Sequence, residues 1–457
     1  MPIGYTDLYI CGMKQILLFG AGKSATVLID YLLANAEKEN WRLTLADANL
    51  QTAMDKIKNS PFGQPVAFDV TDEEARGKLI SEADIVISMM PAALHGEIAK
   101  DCVEYGKHLL TASYIDDNIR SLATAIAEKG LLFICEMGLD PGIDHMSAMK
   151  LIDEIHEKAG SIKTFKSHCG GLVAPESDDN PWHYKISWNP RNVVLAGKAG
   201  AVFRKDGKTF NIPYEEVFEN NELVNIPGLD PLAYYPNRDS LSYIPVYGLE
   251  ESSTFIRTTL RYPSFCKAWY CVIKANLTDE NKSSGVIADK HITYNEWTRK
   301  SVESFTGYKS VEGFVSNYAG DDAKQVLELF AYLGLLSEEP IPLTATCSAD
   351  VLQFALENRL NLLSHDQDMI VMLHELEYEL NGSMHQTRSS LIVKGENNLH
   401  TAMAKTVGLP LGIAAKFILK GRINCPGLHI PTIKEIYEPV LAELELHGVE
   451  FVEEKSH

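Results

Sequence analysis

Gln15 to Phe19 (QILLF) is a short, continuously apolar run that passes directly into Gly20-Ala21-Gly22-Lys23-Ser24-Ala25 and then into a helical pattern at Val27, Leu28, Tyr31 and Leu32. Such a run reads as a strand buried on both faces of a parallel sheet. The hexapeptide after it fits G-x-G-x-x-A. Gly20 permits the tight turn, Gly22 lets the backbone approach a pyrophosphate, and the small Ala25 lets helix pack on strand. The helix N-terminus then turns its unpaired N–H groups toward the phosphates. A glycine turn serving packing alone is the bland alternative, and by itself the hexapeptide is a weak signal. Its place between a buried strand and a helix makes it a specific one. Gly22-Lys23-Ser24 also imitates the end of a P-loop, but that motif needs a glycine where Leu17 stands.

Strands and helices go on alternating. Leu43–Ala46, Val66–Phe68, Ile85–Ile87, His108–Thr111 and Leu132–Ile134 read as strands, with helices over Asp72–Ser81, His95–Tyr105 and Asn118–Lys129 between them. The pattern predicts an α/β fold, a Rossmann-type doubly wound parallel sheet. Asp47 closes the second strand, where a carboxylate accepts both ribose hydroxyls of an adenosine; a cap or turn aspartate is the plainer reading. A 2′-phosphate would meet like charge at Asp47, and Ala48-Asn49-Leu50 offers no arginine to hold it. The expected cofactor is therefore NAD in preference to NADP.

Length and composition limit what else the chain could do. At about 100–200 residues per domain, 457 residues imply two or three domains. A net charge of −20 with no Lys/Arg run argues against a nucleic-acid or membrane-surface partner. Cys11, Cys102, Cys135, Cys169, Cys266, Cys271, Cys347 and Cys425 include no C-x-x-C pair, which reads as reduced thiols, with neither a disulfide frame nor a metal site. Met1 to Met13 lacks the basic start and apolar run of a signal peptide, and no stretch approaches the ~20 apolar residues expected of a membrane span. A cytoplasmic location is expected.

Gly138-Leu139-Asp140-Pro141-Gly142 pins a turn at the carboxyl end of a sheet strand, where open α/β folds bind ligands; Asp140 and Asp144 could also simply cap the next helix. Ile162–His168 is strand-like, and Cys169-Gly170-Gly171 onward reads as a long loop. Thr254–Tyr262 reads as a strand. Asn295–Phe305, Ala323–Leu336 and Ser348–Leu360 are helical. Asn381-Gly382, between Asp368–Leu380 and Ser383–Lys394, signals a tight hairpin. His400–Val407, Leu411–Lys420 and Pro431–His447 return to helix.

On these middle motifs the sequence resembles the glutamate-forming saccharopine dehydrogenases, or saccharopine reductases. The stretches are TASYI (111–115), EMGLDPGIDH (136–145), HCGGLVAPESDDNP (168–181), YKISW (184–188), YPNRDS (235–240), RTTLRY (257–262), AMAKTVGLP (402–410) and KEIYEPVL (434–441). The resemblance runs from Lys14 to Glu454. It implies a Rossmann domain over 14–139 completed by 396–457, and a mixed-sheet α+β substrate and dimerisation domain over 140–280 and 365–395. A small helical domain over 281–364 completes the implied architecture, with a homodimer as its assembly. It further implies cofactor contacts at Gly20, Ala21, Gly22, Lys23, Ser24, Asp47, Asp69, Val70, Ser88, Met89, Leu139 and Asp140. Substrate contacts are implied at Ser113, Tyr114, Arg238, Thr259, Leu260 and Arg261. Fungal members similar to this chain use NADP and carry an arginine just past the second strand; here Ala48 stands in its place.

The expected reaction interconverts saccharopine, NAD(P) and water with glutamate, 2-aminoadipate 6-semialdehyde and NAD(P)H, a step of lysine metabolism. Its chemistry agrees with the residues. Saccharopine carries three carboxylates, and guanidinium groups bind carboxylates bidentately. Without the resemblance, Arg238 and Arg261 would read as surface ion pairs. Forming and hydrolysing an imine needs general acid–base help. Asp140 and Cys169 rank first for it, ahead of His168 and Tyr114, although a Cys beside Gly-Gly is more often packing. The alternative activity is that of a carboxynorspermidine-type dehydrogenase, whose amine-rich substrate calls for acids where this chain has arginines.

Overall fold

The computed structural model describes residues 12–282 and 291–456, so Cys11, nearly all of the Met1–Met13 segment and a short piece of the expected helical region lie outside the described residues. Strands β1 (Lys14–Phe19), β2 (Trp41–Asp47), β3 (Gly63–Ala67), β4 (Ile85–Ser88), β5 (His108–Thr111) and β6 (Leu132–Ile134) come first. Then follow β7 (Ser161–Val173), β8 (Ala201–Lys205), β9 (Lys208–Ile212), β10 (Glu222–Val224), β11 (Leu232–Pro236), β12 (Arg238–Asp239) and β13 (Thr254–Arg261). β14 (Asp368–Leu380), β15 (Ser383–Lys394), β16 (Gly427–His429) and β17 (Val452–Ser456) complete the strands. The helices are α1 (Thr26–Glu39), α2 (Leu50–Ile57), α3 (Glu73–Glu82), α4 (His95–Tyr105), α5 (Asp117–Ser121), α6 (Ala123–Glu128), α7 (Ile143–His156) and α8 (Pro190–Val194). Beyond them lie α9 (Pro263–Lys274), α10 (Tyr294–Thr306), α11 (Val311–Ala319), α12 (Ala323–Tyr332), α13 (Ser348–Arg359), α14 (Ala402–Leu419) and α15 (Lys434–Leu446).

Two compact units divide the chain. The first runs to Glu157 and resumes over Leu399–Glu450; the second holds Lys158–Asn398 and the segment from Phe451 onward. The first unit carries a seven-stranded, all-parallel sheet in the order β16-β6-β5-β4-β1-β2-β3. This is the doubly wound order, extended by one edge strand, and its reversal point lies between β1 and β4. Pro65 is tolerated in β3 because that strand is an edge. The C-terminal strand β16 was not legible, being three residues long and without apolar periodicity.

One helix replaces two in the C-terminal part of this unit. The sequence suggested a break between Val407 and Leu411, but α14 continues through Pro410. Gly408 and Gly412 hold it close to α1: a Cβ would stand 2.9 Å from the Leu28 nitrogen at the first position and 2.6 Å from Tyr31 Cδ1 at the second. Among the described residues α14 is also the one helix long and apolar enough to cross a membrane by length and composition, and 78% of it is buried inside the protein.

The second unit is built on a ten-stranded mixed sheet whose main path is β10-β11-β13-β7-β14-β15-β17, with β8, β9 and β12 attached beside β13. The hairpin matches expectation: β14 and β15 pair antiparallel around Asn381 and Gly382, whose φ angles of +53° and +78° suit the turn that Asn-Gly favours. Three readings change. β7 runs on to Val173, so Cys169-Gly170-Gly171 is strand, held on both sides by ladders to β13 and β14. β17 pairs with β15, which places the last strand with this sheet and not with the Rossmann unit. The region 281–364 shares one core with its surroundings: Trp297, Phe314, Leu329 and Leu352 are buried in the same cluster as Trp182, Phe218 and the α9 residues Phe265 and Trp269.

Candidate active site

In the first unit, a cavity of about 220 Å³ is lined by Gly20, Gly22, Ala46, Asp47, Ala48, Phe68, Met89, Met90 and Pro91. It lies over the carboxyl ends of β1, β2 and β4, the place where the strand order reverses. Gly20 has φ +96°, and a Cβ on it would stand 3.0 Å from the Met89 carbonyl oxygen, so only glycine fits the turn. Nothing lies within 4 Å of a Cβ at Gly22, which leaves open space against the backbone. Lys23 and Ser24 follow in one 3-10 turn that leads into α1. Open backbone at a glycine turn, beside a helix start, fits a dinucleotide pyrophosphate.

Asp47 does more than end β2. Its Oδ2 accepts the Ala21 N–H at 2.7 Å and its Oδ1 accepts the Asn49 N–H at 2.8 Å. The carboxylate thus ties the glycine loop to the strand end. Lys56, nine residues on and absent from the sequence reading, reaches the same loop from α2. Its Nζ donates to the Gly22 carbonyl at 2.9 Å and to Thr26 Oγ1 at 2.6 Å. Burial pulls its pKa down to about 8, against the opposing pull of Asp30 and Asp47. Asp69, Val70, Ser88, Leu139 and Asp140 do not line the cavity. Asp69 points to solvent and accepts Thr71 N–H and O–H, while Phe68 just before it takes the lining position.

Beside the cavity, three hydroxyls gather on one imidazole. Ser88 Oγ lies 2.9 Å from His95 Nδ1; Ser113 Oγ and Thr111 Oγ1 lie 2.8 and 3.2 Å from Nε2. Ser88 and Thr111 are partners at the ends of β4 and β5. The ring is buried, and burial drives its pKa down to about 4. Nearby, Glu136 Oε2 lies 2.9 Å from His145 Nε2, and its Oε1 accepts the Ile115 N–H, fixing the strand-end segment that carries Ser113 and Tyr114. Asp144 Oδ1 accepts the Gly142 N–H at 2.6 Å, the capping role that the plain reading assigned it. Asp140, partly buried, precedes Pro141 in the same turn through a cis peptide bond.

In the second unit, strand register sorts the motif residues by face. Thr259 is level with Cys169 on β7 and Tyr235 on β11, and Arg261 lies two positions further on the same face. Leu260 points the other way, into the cluster with Leu172, Tyr234 and Leu373, so its carbonyl and not its side chain is what it offers toward Arg261. His168 shares that opposite face, held between Thr258 Oγ1 at 2.7 Å and Glu375 at 3.3 Å; of the neighbours His168 and Cys169, only Cys169 faces with Arg261.

Arg261 is buried. Its Nη1 donates to the Leu260 carbonyl, its guanidinium lies 5.1 Å from the Tyr184 ring centre and 5.5 Å from that of Phe265, and its Nε has no hydrogen-bond partner. No carboxylate pairs with it among the described residues. An uncompensated buried cation is costly, and an anionic ligand would satisfy it. Arg238 is placed differently. It is exposed, with φ +53°, in the short strand β12, and its neighbour Asn237 donates to the Arg257 carbonyl. Arg257 and Arg261 are about 13 Å apart along β13. None of the seven described cysteines is in a disulfide.

Fold and loop together define a dinucleotide-binding oxidoreductase. Two family models cover it: residues 16–134 match the saccharopine dehydrogenase NADP binding domain, and residues 138–449 match the saccharopine dehydrogenase C-terminal domain. The chain belongs to the saccharopine dehydrogenase family. It is 34% identical to saccharopine dehydrogenase [NADP(+), L-glutamate-forming] of Schizosaccharomyces pombe, over 97% of this chain and 99% of that one. With the Saccharomyces cerevisiae enzyme of the same name the identity is 35%, again over 97% and 99%. The apo, histidine-tagged structure of saccharopine dehydrogenase (L-Glu forming) from Saccharomyces cerevisiae superposes with a TM-score of 0.87 at 33% identity, covering 97% of this chain and all of that one. A homospermidine synthase from Legionella pneumophila in complex with NAD shares the fold alone, at a TM-score of 0.54 and 9% identity.

Proposed function

We propose that this protein interconverts saccharopine with glutamate and 2-aminoadipate 6-semialdehyde, using a nicotinamide dinucleotide. The observation that carries the reading is Arg261: a buried guanidinium without a carboxylate partner among the described residues, on the face that Thr259 and Cys169 share. A tricarboxylate substrate supplies the missing counter-charge. Ser113, Tyr114, Thr259, Arg238 and Arg261 are the proposed substrate contacts; Leu260 contributes through its backbone. Asp140 and Cys169 are the proposed proton-transfer groups for hydrolysing the imine. A dinucleotide in this cavity would supply hydride-transfer chemistry at the carbon next to the bridging nitrogen. Gly20, Gly22 and the start of α1 would hold it, with Met89 on the cavity wall. The polyamine alternative gains no support, since the relatives that match along their whole length are saccharopine dehydrogenases.

The finer question is which dinucleotide. The family model's description and the fungal relatives' names favour NADP over the NAD preference read from Asp47 and Ala48. Two facts weaken the sequence argument. Asp47 already has a structural occupation for each oxygen, and Lys56 sets a cation at the loop that Ala48 leaves without one. The test is direct: saccharopine with NAD and with NADP in parallel, following reduced cofactor by absorbance and identifying glutamate in the product. Reduced cofactor without glutamate would sink the proposed reaction. A homodimer is proposed as the assembly, checked by sedimentation.

A further inference from the structure

We infer that His95 is a positioning residue that sets the hydrogen-bonding polarity of Ser113. The inference rests on the reading of Ser113 as a substrate contact.

His95 opens α4, one 3-10 turn (Ala92–Leu94) after the segment Met89-Met90-Pro91 that walls the dinucleotide cavity. Its ring therefore has one nitrogen on each side of a divide. Nδ1 faces Ser88, the last residue of β4 before that wall, and Nε2 faces Thr111 and Ser113 at the end of β5. The ring is 2% exposed, and the groups around it are hydroxyls, with Asp116 the only charge that raises its pKa. A neutral imidazole has one donor and one acceptor nitrogen, so its tautomer dictates what each hydroxyl must do.

Two arrangements exist. With the proton on Nδ1, Ser113 must donate to Nε2 and is left with lone pairs for its ligand. With the proton on Nε2, the ring donates to Ser113 Oγ and Ser88 donates to Nδ1, so the Ser113 O–H is left to donate outward. Thr111 is compatible with the second arrangement: its Oγ1 accepts the Ser113 N–H at 3.2 Å and has a second lone pair for a share of the Nε2 proton at 3.2 Å. The ligand decides between the two. A ligand with several carboxylates needs donors. His95 thus carries its proton on Nε2 and holds Ser113 as an outward donor to a carboxylate.

The tautomer is read by 15N NMR of the full-length protein with labelled histidine: the proton is expected on Nε2, and a proton on Nδ1 overturns the inference. Kinetics give the second readout. The amide nitrogen of glutamine can stand where Nε2 stands, whereas asparagine reaches only the Nδ1 place. His95→Asn is expected to raise KM for saccharopine about tenfold, the cost of losing a hydrogen bond to a charged group, with dinucleotide Kd unchanged within about twofold. His95→Gln is expected to recover most of that loss. In a Ser113→Ala background His95→Asn should add nothing further to KM. Full additivity there, or equal damage by Asn and Gln, overturns the inference. If Ser113→Ala alone leaves KM unchanged, it is the substrate assignment of Ser113 that fails, and the NMR result still decides the tautomer.

Discussion

Asp47 Oδ2 and the Ala21 N–H, 26 residues apart in sequence, meet at 2.7 Å, so the acid at the end of β2 is a strut of the glycine loop before it is anything else. The loop needs an aspartate with that duty whichever dinucleotide binds, so its identity alone is a poor guide to cofactor choice. The discriminating charge is set by its neighbours.

Asp47→Ala should accordingly weaken both dinucleotides, because it strands a loop N–H, at a cost of about 1–3 kcal/mol. Adding Ala48→Arg should then raise the NADP-to-NAD ratio of kcat/KM. Lys56→Met should lower that ratio, removing the cation bonded to the Gly22 carbonyl. Measuring kcat/KM for both cofactors in the three variants checks this. A ratio unmoved by Lys56→Met would confine the lysine to bracing α1 on α2.

Arg261→Met separates binding from folding. Saccharopine affinity should fall about 30- to 1000-fold, as for loss of a buried charge-assisted partner, with dinucleotide affinity intact. The melting temperature should hold or rise, since the substitution removes a buried cation that has no carboxylate partner among the described residues. Titration of each ligand with a thermal melt tests both halves; parallel loss of dinucleotide binding would reassign Arg261 to folding.

Gly170 has no room for a side chain. A Cβ there would stand 2.7 Å from both Cβ and O of Leu260, on the neighbouring strand. Gly170→Ala should destabilise the second unit by about 1–3 kcal/mol. It should also raise KM for saccharopine by displacing Thr259–Arg261. A shift in denaturation midpoint without any change in KM would show that β13 tolerates the push.

Acid should destabilise the first unit through His95. Its pKa in the fold, about 4, lies below the ordinary 6.5, so protonation favours the unfolded chain. The contribution is complete above pH 6.5 and is lost as pH falls from 6.5 toward 4, by up to about 3 kcal/mol. His95→Gln should flatten the stability curve across that window in urea titrations. An unchanged slope would place the acid sensitivity elsewhere.

The Rossmann unit was legible in the sequence because buried parallel strands leave continuous apolar runs and because the Gly20 turn admits no other residue. The Asn381-Gly382 hairpin was equally plain, since strand alternation and turn chemistry agreed. What escaped has a physical pattern. β7 was cut short at Cys169 because Gly-Gly reads as a loop, whereas ladders on both sides hold it as strand. Leu260 was grouped with its neighbours by motif, and only register shows that a one-residue step reverses the face. Lys56 and His95 were passed over because their partners lie on other elements, and no spacing along the chain brings Ser88, Thr111 and Ser113 to one ring.

The order in which the sheet of the first unit is assembled has a consequence for synthesis. One of its edge strands, β16, and its long buried helix, α14, are encoded after all of the second unit but its last strand. Domains generally fold as units while the chain emerges, N-terminal first. Here the segment translated first must wait, with the apolar flank of α1 opposite Gly408 and Gly412 uncovered, until some 240 further residues have left the ribosome. The second unit, contiguous except for its last strand, is therefore free to mature before the unit that precedes it.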